Sequence, residues 1–403
     1  MSKRSKKILF AVLALVDTLF LVVSVFAWDL FLSGCCFVLA ILLTYFYEDA
    51  GFGEFYEGKK NEERTEDEKM KKIINDPLKV VEESLQGLLY ANGDLYEKVP
   101  DACGIISKER NGKTAIVSGG GSGHEPMLSG LVGKGMLTGA AVGNVFASPD
   151  PYTIKETIKA ADQGKGVLCL IWNYAGDTMN FDVAEDLASM EGVKVSHVIV
   201  NDDIASAPKE DKKGRRGVAG ILFVAKAAGA AAELGYSLEE VKEAAERANE
   251  HVRTIGIAIT PCSIPGNPPN FELGEEEYEY GMGIHGEPGI SRESLVSADE
   301  LTEKMIGDLK EEFGDLKGRE AVLLVNGMAA TTDLELYIIN KKACELLKEA
   351  GVILYDNIVG KYCTSLEMAG ASVSLFILDE ELKRLYDQPA CTRCYTQKYG
   401  KDG

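Results

Sequence analysis

Six short apolar runs, TAIVS, GVLCLIWN, VKVSHVIV, TIGIAIT, AVLLVNG and SVSLFIL, lie between residues 114 and 378, and segments of helical periodicity separate them. Runs this short, rich in β-branched residues, predict buried strands, and their alternation with helices predicts α/β layers. One of the helical segments, 237 to 252, opens with the capping box Ser237 to Glu240. Nearer the N-terminus, Asn75-Asp76-Pro77 places a cap and an N1 proline before VVEESLQGLL, in which Val81, Leu85, Leu88 and Leu89 recur at helical spacing. A composition break near Arg253 to Ile255 divides the body. The expectation is two α/β domains with mixed sheets covered by helices, 70–253 and 254–395, followed by a short tail, 396–403.

A chain of 403 residues, 46% of them hydrophobic, can bury the cores that two such domains need. Its formal net charge of -20 repels phosphate backbones, and no basic block follows the first seven residues, which excludes nucleic acid as a direct partner. The nine cysteines show no framework spacing and read as mostly buried, reduced thiols. Cys391 and Cys394 form a lone CxxC with no second pair and no nearby histidine, so no metal site is expected there.

Two apolar runs precede the body, Ile8 to Trp28 and Leu30 to Tyr47. Each is about the 20 residues that cross a bilayer as a helix. With Lys3, Arg4, Lys6 and Lys7 kept in the cytoplasm, two passes return the rest of the chain to the same side. The expectation is a membrane hairpin over 1–47 and a polar linker over 48–69, tethering a cytoplasmic body. A second reading stays open, in which the protein starts at Met70, where MKKIINDP resembles the beginning of a soluble protein, and residues 1–69 are never made.

TAIVS leads into GGGSGHEP, which reads as a strand, a glycine-rich turn and a helix start, a geometry that offers backbone N–H groups to an anion. It fits neither dinucleotide nor Walker spacing, since His124 stands where a third glycine belongs and no Lys-Ser/Thr follows the glycines. Asn111-Gly112 reads as a turn. Of four histidines, His124 in GSGHEP and His285 in GIHGEPG share a glycine-lined context that leaves room for a small ligand. His197 lies among apolar neighbours and reads as core packing, and His251 reads as the solvated face of a helix. Asp177 is expected in the loop after the strand GVLCLIW, on the rim where open α/β sheets collect ligands.

Together GGGSGHEP, GKGML, NVFASPDP, NYAGDTMNF, GRRGVAG, MGIHGEPG, LVNG and YCTSLEMAG, in this order from Met70 to about Ala390, resemble the K subunit of dihydroxyacetone kinase. The resemblance implies a homodimer whose His285 adds through a ring nitrogen to the carbonyl of a short-chain ketose, giving a hemiaminal that glycerol cannot form. It implies that His124 hydrogen-bonds the sugar, that Gly120, Gly121 and Ser122 line its cradle, and that Asp177 accepts or orients the proton of the attacking terminal hydroxyl. Glu287 either orients His285 or serves as a solvated or capping carboxylate. No cofactor is expected on this chain; Mg-ATP or ADP is expected on a separate L-type nucleotide-binding subunit. Many members of that family place a lysine before the NYxGD segment, where this chain has Trp172. That exchange reads either as a tolerated swap at the sugar site or as a change of substrate to a four-carbon ketose such as erythrulose. A third reading is a non-catalytic ketose sensor acting with a transcription regulator.

Overall fold

The apolar runs become strands whose alternate side chains are covered on both faces of two sheets. A computed structural model describes residues 71–398. In chain order the first half holds α1 (Val80–Ala91), β1 (Tyr96–Lys98), β2 (Gly104–Ser107), β3 (Ala115–Ser122), β4 (Gly133–Lys134), β5 (Gly139–Val145), α2 (Pro151–Ala161), β6 (Val167–Trp172), α3 (Ala175–Met190), β7 (Val195–Val200), α4 (Ile221–Glu233) and α5 (Leu238–His251). The second half holds β8 (Val252–Ala258), β9 (Glu277–Tyr280), β10 (Ser291–Ser294), α6 (Ala298–Phe313), β11 (Glu320–Gly327), α7 (Asp333–Glu349), β12 (Ile353–Gly360), β13 (Gly370–Leu378), α8 (Glu380–Tyr386), β14 (Ala390–Thr392) and β15 (Thr396–Gln397).

Both six-stranded sheets are mixed. The first runs β1-β2-β5-β3-β6-β7, with β3 parallel to β5 and β6, and β6 parallel to β7. The second runs β10-β9-β8-β13-β11-β12, and there only β11 and β12 pair in parallel. A small third sheet, β15-β14-β4, ties the end of the chain back to the first half. The fold is therefore α/β with mixed sheets, as the alternation predicts. The apolar runs of 8–47 lie outside the described residues; among the described residues no helix is long and apolar enough to cross a membrane.

One helix joins the two sheets. Every residue of α4 from Ile221 to Ala232 is buried, which an amphipathic surface helix would not show. It shares one core with Leu170, Trp172 and Val200 of the first sheet and with Val322, Leu324 and Phe376 of the second. The Phe223 and Phe376 rings stack with centroids 4.8 Å apart. The outer face of the first sheet packs on α2 and α3 through Ile154, Ile158, Phe181 and Ala184. That of the second packs on α6 and α7 through Met305, Leu309, Leu336 and Leu347.

Several local expectations need correction. The capping box at Ser237 and Glu240 is present, and Asn111 and Gly112 both take positive φ in a turn. The first helix, however, starts at Val80 with no side-chain cap, because the Asp76 carboxylate accepts instead from the N–H of Leu78 two residues on. The glycine run is not a turn before a helix: β3 continues through Ser122, and the chain then passes into a loop that contains a single 3₁₀ turn, Ser129–Leu131. No helix N-terminus stands there to receive an anion. Asp177 lies in the first turn of α3 rather than in a loop. His197 is about two-fifths exposed, its Nδ1 2.8 Å from the Glu185 carboxylate, and is not a core residue. His251 places Nδ1 3.0 Å from the Ile377 carbonyl oxygen, so the β13 backbone, not solvent, holds its ring. Among the described cysteines, all free, Cys169, Cys262 and Cys363 are buried and Cys391 is exposed.

Candidate functional site

The glycines at the end of β3 make room for neighbours. A Cβ on Gly120 would come 3.0 Å from the Trp172 ring, and one on Gly121 would come 2.7 Å from the Ala147 nitrogen and 3.0 Å from Phe146 Cα. The backbone contact at Gly121 is not tolerated and the one at Gly120 would push the Trp172 ring back, so glycine lets the Phe146 turn and β6 close on this strand. Phe146 itself sits in the left-handed region, φ 55°, a costly conformation for a bulky residue. It places its ring stacked on His124 at 5.1 Å and edge-on to His285 at 5.2 Å. Ser122 donates its hydroxyl to the Gly143 carbonyl oxygen at 2.8 Å.

The structure brings His124, Asp177 and His285 to one place, from the loop after β3, from α3 and from the loop after β9. The two imidazoles lie 4.7 Å apart, nearly perpendicular. His124 is fully buried, with Nδ1 2.8 Å from the Thr364 carbonyl oxygen. A carbonyl only accepts, so Nδ1 carries the proton and Nε2 is a bare lone pair. That Nε2 is buried without a hydrogen-bond partner. Burial first, and the nearby His285 second, lower the His124 pKa to about 3, so the ring is neutral.

His285 follows the same logic with a stronger partner. Its Nδ1 lies 2.7 Å from one Glu287 oxygen, and the other oxygen accepts from the His285 backbone N–H at 2.9 Å. Nδ1 therefore holds a proton toward Glu287, and Nε2 is the ring nitrogen left free of that carboxylate. Burial alone would raise the Glu287 carboxyl, but the hydrogen bonds from His285 overcome it and bring the pKa down to about 2. Glu287 is thus an anion that holds both the imidazole and the backbone N–H of His285, so it both orients the ring and caps the loop backbone.

Asp177 is buried, and its Oδ1 lacks a partner. Burial raises its pKa to about 6, against the lowering effects of the Ser148 hydroxyl and His285. Trp172 does not offer its indole N–H to the site, because that group is donated to the Val218 carbonyl oxygen at 3.1 Å. Its ring, 1% exposed, backs His124 edge-on at 5.6 Å. Two aromatic neighbours stand inside the motifs without a role drawn from sequence, Phe146 in NVFASPDP and Tyr174 in NYAGDTMNF. Tyr174 packs edge-on against His285 at 4.9 Å, and its hydroxyl is buried and unpaired. The NYAGD stretch is the place that could flag it, since Tyr174 stands three residues before Asp177.

The loop between β12 and β13 binds both histidine segments. Thr364 donates its hydroxyl to the Glu125 carbonyl oxygen at 2.7 Å, Leu366 donates N–H to the Gly123 carbonyl oxygen at 2.7 Å, and Ser365 donates to the Ile284 carbonyl oxygen at 2.5 Å. Asn326 pins this loop in turn. Its amide donates to the Cys363 carbonyl oxygen at 2.8 Å and the Ser372 hydroxyl at 3.0 Å, while its oxygen accepts from the N–H groups of Tyr362 and Cys363, each at 2.9 Å. The fully buried Asn326→Ala leaves these groups unpaired. We expect a loss of about 3 kcal/mol in stability, read from urea midpoints; a change under about 0.5 kcal/mol would show that the loop is held by other means.

Residues 86–394 match the Dak1 domain family. The PTS-dependent dihydroxyacetone kinase 1, dihydroxyacetone-binding subunit DhaK, of Listeria innocua is 47% identical over 77% of this chain and 95% of its own length. The L-erythrulose kinase of Pectobacterium atrosepticum is 42% identical over 79% of this chain, which spans 55% of that longer protein. Among solved structures, the dihydroxyacetone kinase operon co-activator DhaQ superposes with a TM-score of 0.75 at 31% identity, over 79% of this chain and 99% of that one. Such a match across most of the described residues, shared with relatives of this identity and coverage, settles the grouping: the chain belongs to the Dak1 family.

Proposed function

We propose that this chain is the ketose-binding subunit of a dihydroxyacetone-type kinase and holds its substrate as a hemiaminal on His285. The observation that carries the reading is the Nε2 lone pair of His285, aimed by an ionised Glu287 and set beside two further acceptors without partners, His124 Nε2 and Asp177 Oδ1. In the addition, Nε2 forms a bond to the ketose C2 and the C=O π pair moves to oxygen. The Nδ1 proton, relayed by way of Glu287, ends on that oxygen, so the adduct is neutral and Glu287 stays ionised. His124 accepts from one hydroxyl of the bound sugar. Asp177, ionised above about pH 6, takes the proton of the terminal hydroxyl as it attacks phosphorus. The phosphoryl donor belongs to a separate L-type subunit carrying ADP or ATP with magnesium, and homodimer formation and tethering at the membrane through residues 8–47 belong to the same proposal.

A buried carboxylate with one oxygen left without a partner favours catalysis over sensing, since a sensor needs the adduct but no base. A four-carbon ketose stays as the second reading, because Trp172 supplies no donor in place of the family lysine and a relative acts on erythrulose. The test is intact-protein mass spectrometry together with turnover in the presence of an L-type subunit. Dihydroxyacetone and erythrulose should each add one ketose mass and be phosphorylated, and glycerol should do neither. Phosphorylation of glycerol would overturn the reading, and an erythrulose kcat/KM more than about tenfold above that of dihydroxyacetone would assign the four-carbon substrate.

A further inference from the structure

Among the described residues, five buried side-chain polar atoms have no hydrogen-bond partner, and three of them belong to the site: His124 Nε2, Asp177 Oδ1 and Tyr174 Oη. Buried polar atoms are normally satisfied, so unpaired atoms on residues that surround His285 point to a ligand that completes them. The first two atoms can only accept, since the proton of His124 is committed to Thr364 and Asp177 is a carboxylate when ionised. Tyr174 is the donor of the set. A ketone flanked by hydroxyl-bearing carbons offers the converse, two O–H donors and one carbonyl acceptor. Bound on His285, it would give one hydroxyl to His124, the terminal hydroxyl to Asp177, and its keto oxygen to whatever donor is left.

We propose that the Tyr174 hydroxyl is that donor, holding the oxygen at C2 as it changes from carbonyl to hemiaminal hydroxyl. This deepens the proposed function and rests on it. The position of Tyr174 suits the task. Its ring meets the reacting imidazole edge-on at 4.9 Å, and residue 174 is the N-cap of α3, the helix whose first turn carries Asp177. The tyrosine and the aspartate therefore move as one piece. Burial and the neighbouring Glu287 carboxylate raise the phenol pKa well above its usual value, so it remains a neutral donor across the working pH range. As charge develops on the keto oxygen, a preorganised O–H in a water-poor site stabilises it in the manner of an oxyanion hole.

The role differs from that of Asp177 in the step it serves. Tyr174 acts on addition at C2, whereas phosphoryl transfer takes place at the terminal oxygen. Tyr174→Phe keeps the ring against His285 and removes only the donor. The expected result is a rise of roughly 10–100-fold in the concentration of dihydroxyacetone that half-saturates the adduct, seen by intact mass spectrometry. KM should rise in parallel, and kcat should fall far less. An unchanged half-saturation, or a loss confined to kcat, would overturn the assignment while leaving His285 as the nucleophile. Absence of any adduct on the unmodified protein would overturn both readings. Thermal melting within about 2 °C of the parent would show that the loss of saturation comes from the missing donor, and a larger drop with proportionate loss of both kinetic constants would assign Tyr174 to packing alone.

Discussion

His285→Ala is expected to leave a folded protein that forms no adduct with dihydroxyacetone, even at saturating ketose. In the proposed reaction the imidazole makes the bond, and the substitution removes it without opening the core, since the side chain is about one-fifth exposed. The loop keeps its anchors, because the Ser365 hydroxyl still donates to the Ile284 carbonyl oxygen and the Asn270 amide to the His285 carbonyl oxygen, both backbone acceptors that the substitution leaves in place. Glu287 keeps the His285 N–H. His124 cannot stand in as nucleophile: its Nε2 is buried, and the ring is fixed by Thr364 on one side and stacked on Phe146 at 5.1 Å on the other. Without the covalent tether the ketose loses its fixed orientation at Asp177, and turnover should fall on the order of 10³-fold. Intact mass spectrometry of parent and variant checks the first claim and coupled turnover the second. An adduct of undiminished occupancy on His285→Ala would move the nucleophile elsewhere and remove the basis of the proposed function.

The sequence shows the α/β class because strand periodicity is local: LCLIW in β6 or AVLLV in β11 is legible within one window. The paired histidines are legible for a similar reason, since each carries its glycines beside it. What holds them together is not local. Thr364 meets His124 across 240 residues of chain, Ser365 meets Ile284 across 81, and Asn326 reaches Cys363 across 37. No periodicity encodes such contacts. The glycine run misleads because glycine serves two ends: it permits tight turns, and it permits close approach, and here β3 uses it to admit Trp172 and the Phe146 turn. His197 misleads differently. Its strand neighbours are apolar, but β7 is the edge of the first sheet, and an edge position leaves the ring partly in solvent with Glu185 from α3 as partner.

Asp177→Asn should show the opposite pattern to His285→Ala, with the adduct retained and turnover lost. The amide is isosteric and keeps a carbonyl oxygen to accept from the sugar, yet it cannot take a proton from the terminal hydroxyl, and general-base contributions of this kind are worth roughly 10²–10⁴-fold. Burial raises the carboxyl from its ordinary value to about 6, so the parent's kcat should climb as pH rises through about 6 and then level, and the variant should lack that limb. The same shift has a consequence for stability with a definite sign. A carboxyl whose pKa is raised by folding binds its proton more tightly in the native state, so the native form gains nothing from ionisation and loses ground to the unfolded chain as pH climbs from about 4 to about 6. Above that window the ionised Asp177 weighs against the fold by an amount on the order of 3 kcal/mol. Asp177→Asn should therefore be more stable than the parent at pH 8 and equal to it near pH 3, as measured by urea midpoints across pH. Under the proposed function the burden is tolerated because the free oxygen of Asp177 is poised for the substrate's proton. A variant that loses stability at pH 8 while keeping its turnover would show that the carboxylate serves the fold and not the reaction.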